Sequence, residues 1–166
     1  MKGIKKTALS AILAALAVVI LYAGSLFGKI DIATAAAASL CVMITSGEFG
    51  YKRAFAVYLV TAVLSLIIVP SKTAAILFTV FFGLYPIVKS YSEARFGKNI
   101  SYAAKYIYLN LAMAVLFVLV CVFFKILPML FYPVIILVVN VLLAVYDRVL
   151  TWIMSVYYRC IRTKLL

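Results

Sequence analysis

The chain has 166 residues, of which 69% are hydrophobic and 12% charged, and a net charge of +12 from 16 Lys and Arg against 4 Asp and Glu. A soluble domain is nearer half apolar and a quarter charged, so a water-soluble globule of this size is excluded. A nucleic-acid role for the positive charge goes with it, because the basic residues sit between long apolar runs, where they act as a topology signal.

The runs show no strand-like alternation, and in lipid each span must satisfy its own backbone hydrogen bonds. They predict an all-α polytopic membrane protein, a single bundle of six transmembrane helices. A span needs about 20 apolar residues. The first covers about residues 7–27, after the basic start "MKGIKK", and "GKID" turns the chain. The first apolar run is longer than the core of a usual signal peptide and lacks a clean A-x-A cleavage site, so it is expected to be a retained helix. The second span covers about 30–46 and ends at "SGEFGYKR", a glycine-rich turn with Gly47 and Gly50 around Glu48. The third covers about 54–69 and ends at "PSK". The fourth covers about 73–91 and contains Pro86, which has no backbone donor and should kink it. The fifth covers about 104–124, after the polar stretch "SEARFGKNIS". The sixth covers about 131–153 and runs into the basic tail "YYRCIRTKLL".

Placing the N-terminus in the cytoplasm leaves Lys29, Lys72 and Lys125 outside and every other Lys and Arg on the inner side or at its edge. Under the positive-inside rule this orientation puts both termini in the cytoplasm.

Chemistry-bearing residues are few. His is absent, which removes the commonest general base and metal ligand. Cys41, Cys121 and Cys160 are scattered without a C-x-x-C pair, against a disulfide framework or a zinc site. No G-x-x-x-x-G-K-[ST] loop occurs, so this chain is not expected to hydrolyse ATP by itself. With four acids in all and no paired-carboxylate motif, neither enzyme activity nor a catalytic, cofactor or metal site is expected.

Two features remain. Polar groups at membrane depth or at its outer rim are candidates for a small-molecule site: Tyr22, Lys29, Asp31, Lys72 and Asn140 are the residues expected to line an outward-facing pocket. Asn110, Asp147 and Arg148 lie nearer the inner side, the last two as interfacial anchors. The other feature is the surface of the first helix, "ALSAILAALA". Ala11 and Ala15 form a small-x-x-x-small pair with Ala8 on the same face, while Ser10, Ala14 and Ala17 smooth a second stripe. Small residues let helices approach closely where no hydrophobic force drives them together. Such a face serves packing within the chain, against the "ATAAAA" of the second span, or docking onto another membrane protein.

The length, span number, orientation and "ALSAILAALAVV" first helix together resemble the substrate-binding S component of energy-coupling factor (ECF) vitamin transporters. The resemblance implies a bacterial plasma-membrane protein that binds a small molecule from outside. It would dock through its first helix onto a transmembrane T subunit driven by two separate ATPase subunits. Ala11 and Ala15 occupy the positions of the family's A-x-x-x-A docking surface, with Ala8 and Ala14 as neighbours. No segment matches a particular vitamin type. The competing class is an MreD-like structural or assembly protein of the bacterial cell envelope, which would have partner surfaces and no ligand pocket.

Overall fold

The computed structural model describes residues 3–28, 30–124 and 132–159, with side chains at these positions except 98, 116–124, 132–139 and 143. Among the described residues the chain is all-helical, with no strand. The elements are α1 (Gly3–Phe27), α2 (Asp31–Phe49), α3 (Tyr51–Ile68), α4 (Lys72–Leu77), a wide π turn (Phe78–Phe82), α5 (Tyr85–Arg95), α6 (Lys98–Phe124) and α7 (Tyr132–Tyr157). α4, the wide turn and α5 follow one another as a single 24-residue span, Lys72–Arg95. That span, α1, α2 and α3 are the four helices, among the described residues, long and apolar enough to cross a membrane. α6 and α7, with 27 and 26 residues, also exceed the ~20 that a hydrocarbon core requires.

The helices overrun the apolar stretches that mark them. α1 starts at Gly3 and takes in Lys5 and Lys6. α6 starts at Lys98 and takes in "KNISYAAK" before its apolar part. Hydropathy reports where the apolar surface stops, whereas helix hydrogen bonding continues through polar residues such as the exposed Lys5 and the buried Ser101 and Lys105. The "SGEFGYKR" turn is shorter than the sequence suggests. Gly47 lies inside α2, and Gly50 alone, at φ +84°, separates α2 from α3. That backbone conformation favours glycine.

The chain divides into two compact units, Met1–Val115 and Leu116–Leu166. In the first, α2 is the central helix: it packs against α1, α3, α4, the wide turn and α5. Its buried residues include Ala35, Ala38 and Ser39, small enough to let several neighbours come close. α1 packs on α2 and α3, and its buried residues Ser10, Ala14, Ala17, Leu21 and Gly24 form a row spaced by four and three residues. At Gly24 the contact is closest, since a Cβ there would run into the Thr34 side chain.

Hydroxyl groups within the helices mostly bond back to their own turn. Ser10 donates to the Lys6 carbonyl at 2.8 Å, Thr45 to Cys41 at 2.8 Å and Ser65 to Ala62 at 2.9 Å. This lets a polar side chain sit at membrane depth with its donor satisfied. In the second unit the same device recurs on α7, where Thr151 donates to the Asp147 carbonyl and Ser155 to that of Trp152.

Candidate functional site

The end of the first unit where α2 begins and α3 ends is the one that the charge pattern assigns to the outside. Its chemistry gathers at Ser71. Ser71 precedes α4 and caps it, its Oγ accepting from the Ala74 N–H at 3.5 Å. The same hydroxyl donates to Asp31 Oδ2 at 2.7 Å, which ties the α3–α4 loop to the first turn of α2. Asp31 is well placed there, because a helix N-terminus favours negative charge. Its other oxygen, Oδ1, is buried and accepts no hydrogen bond from the described residues. Next to Ser71, the Lys72 ammonium turns back and donates to the carbonyls of Leu66 (2.8 Å) and Val69 (3.2 Å), capping the C-terminal end of α3.

Of the expected pocket residues, the structure therefore brings Asp31 and Lys72 to one corner, both engaged in fastening helix ends. Tyr22, on α1, is 42% exposed. Lys29 lies outside the described residues. Asn140 belongs to the second unit, where it is half-buried. Asn110 is exposed on α6 and its side-chain amide donates to the Tyr106 carbonyl at 2.9 Å. Asp147 is half-buried and Arg148 exposed, as expected for neighbours that leave a helix in different directions.

The alanines of α1 separate into two groups. Ala14 is 5% exposed and belongs to the row that packs inward. Ala8, Ala11 and Ala15 are exposed, flanked by the exposed Leu9, Ile12 and Leu16. The side turned away from the core therefore carries a flat alanine strip bordered by larger apolar residues.

Two further clusters carry polar chemistry that sequence reading did not assemble. Near the opposite end, Glu93 of α5 accepts from Lys105 of α6 at 2.5 Å and lies 3.7 Å from Lys89 one turn earlier. Both lysines are buried while the Glu93 side chain is 47% exposed. Beside them the buried Ser101 hydroxyl donates to that of Ser92, whose own hydroxyl donates to the Lys89 carbonyl. Glu93 is visible in the sequence as one acid among four, but its partner lies 12 residues away on another helix.

The second cluster surrounds the wide turn. The Gly83 N–H donates at 2.7 Å to the Phe78 carbonyl, five residues back, rather than to Thr79. This leaves the Thr79 carbonyl without its usual helical donor. The Tyr58 hydroxyl, from α3, donates to it at 2.9 Å. From α6, the Tyr108 hydroxyl is shared between the carbonyls of Val80 (3.0 Å) and Phe81 (3.1 Å). Gly83 permits the approach of Tyr58: a Cβ there would stand 2.6 Å from Cδ2 of the ring. The sequence points to Pro86 as the irregular residue, yet the break comes before it. Pro86 sits in the first turn of α5, where a missing N–H is tolerated.

No known protein family, curated protein or solved structure matches this sequence.

Proposed function

We propose that this chain is the membrane-embedded substrate-binding subunit of a bacterial micronutrient uptake transporter, with both termini cytoplasmic. It takes a small vitamin-like molecule from the outside and docks through α1 onto a T-type membrane subunit driven by two separate ATPases. The observation that supports this reading best is the division of α1. One row, including Ala14, is spent on the chain's own core, while Ala8, Ala11 and Ala15 remain on an exposed face. Small side chains on a lipid-facing surface give a second helix room for close backbone approach, and they are easily released because they form no polar bonds. Tyr22, Lys29, Asp31, Lys72 and Asn140 remain the residues proposed to meet the cargo.

The test is native mass spectrometry of gently purified chain from its own membranes, with and without Ala11→Trp or Ala15→Trp. The reading expects co-purified small molecule together with T and ATPase subunits. It expects either tryptophan variant to lose those subunits while the isolated chain stays folded. Normal assembly of both variants would move the docking face elsewhere.

One observation favours the MreD-like reading instead. Asp31, the one outer acid, and Lys72 are both committed to fastening helix ends, an arrangement suited to a scaffold. Recovery of the chain with cell-shape proteins alone, and with no small molecule, would select it.

A further inference from the structure

The Thr79 carbonyl accepts from a side chain in place of its helical donor. In a regular α-helix it would accept from the Gly83 N–H, four residues on. Here that N–H reaches back to Phe78, and the Tyr58 hydroxyl holds Thr79 at 2.9 Å. If Gly83 rewound to Thr79, the Phe78 carbonyl would be released to the next N–H in the α pattern, that of Phe82, and Tyr58 would be displaced. The wide arrangement leaves the Thr79 carbonyl to the tyrosine, and the rewound one would give it back to the backbone. Pro86 cannot donate to the Phe82 carbonyl, so α5 is not locked onto α4 by a continuous ladder. Gly83 and Leu84 are the two residues that join the wide turn to α5.

We propose that residues 78–84 are a two-position switch in the fourth span, in which the Tyr58 hydroxyl and the Gly83 N–H compete for the Thr79 carbonyl and thereby set the rotation of α5 relative to α4. Single π turns inside α-helices recur at functional positions, and a bistable hydrogen-bond pattern is what a conformational transition requires. Tyr108, bound to Val80 and Phe81 at once, holds the turn in the wide position from α6. At the far end of α5, Glu93 ties it to Lys105 of α6. α6 therefore holds the wide turn through Tyr108 and the far end of α5 through Lys105, and the link from α5 to α4 runs through the wide turn. The switch is a property of this span whatever the chain transports or assembles with.

The experiment is a pair of spin-label distances on the full chain in nanodiscs, with the native cysteines replaced. One pair, at the exposed positions Ile67 on α3 and Ala94 on α5, spans the switch. The other, Ile4 on α1 with Ile67, lies outside it. Tyr58→Phe removes the competing hydroxyl. One residue of rewinding is a turn of about 100°, which carries an exposed label by roughly 5–8 Å. The Ile67–Ala94 distribution is expected to shift or split by that amount in Tyr58→Phe, while Ile4–Ile67 stays fixed. Pro86→Ala, which restores a donor for Phe82, is expected to move the same pair in the same sense. Identical Ile67–Ala94 distributions in wild type and both variants, with only a lower melting temperature, would make Tyr58 a static prop and overturn the switch. Unlabelled wild-type chain gives a reading that needs no variant. The amides of Phe82 and Gly83 are expected to exchange with deuterium about 10-fold faster than those of residues 88–90, as local opening of the turn requires. Equal protection would also overturn the proposal.

Discussion

α1 and the Lys72–Arg95 span are of nearly equal length, 25 and 24 residues, and both are apolar enough to cross a membrane, α1 the more so. Their backbones solve the same problem in opposite ways. α1 runs unbroken, and its hydroxyls at Thr7, Ser10 and Ser25 bond to carbonyls of their own helix. The other span widens at Phe78–Phe82 and restarts at Tyr85, and the carbonyls it exposes are served by tyrosines of α3 and α6. In lipid an unserved carbonyl is costly, so an irregular span must be held by its neighbours, whereas a regular one can give its outer surface away. On the proposed readings α1 is the helix that meets a partner, and the fourth span the one that moves within the chain.

This contrast can be broken by substitution. The largest effect is expected on the inward side of α1. Ala14→Trp forces a large ring into the row that packs against the core and should cost about 3 kcal/mol or more, seen as loss of folded chain in detergent. Ala11→Trp, on the exposed side, should leave folding near wild type. Equal effects at the two positions would erase the distinction between the faces of α1. Next comes Glu93→Gln, which takes the carboxylate away from two buried lysines. A fully buried pair broken this way costs about 3–5 kcal/mol, and the exposure of Glu93 should reduce that to roughly 2 kcal/mol. Adding Lys105→Met to the same chain should recover part of the loss in melting temperature. The smallest is Gly83→Ala. Its Cβ meets the Tyr58 ring at 2.6 Å and the Phe78 carbonyl at 2.9 Å, so about 1–2 kcal/mol should be lost. Gly24→Ala probes the regular helix in the same way, and a comparable loss there would show that close packing, rather than the wide turn, sets the sensitivity.

The sequence makes the helices legible because bilayer thickness dictates the length of each apolar run, and Lys and Gly punctuate them. It also shows that α1 has two stripes of small residues. It does not show which stripe turns inward. Both are alanine-rich, so hydrophobicity does not tell them apart, and the inward one is marked by contacts with distant residues such as that of Gly24 with Thr34 on α2. Pro86 advertises irregularity in the fourth span, but the wide turn comes from the Gly83 N–H reaching Phe78 and from hydroxyls 21 to 28 residues distant in the chain. Long-range partners of that kind leave no local pattern. The outer corner is similar: Asp31 and Lys72 stand out as charges at a membrane edge, yet Ser71, which caps α4 and holds Asp31, looks like an ordinary turn residue.

Gly50 is the whole connection between α2 and α3. A joint of one residue leaves the two rods no slack, so they should enter the bilayer together as a helical hairpin during synthesis. Any tilt imposed on α3 by its surroundings is handed directly to α2, the helix on which the rest of the first unit leans.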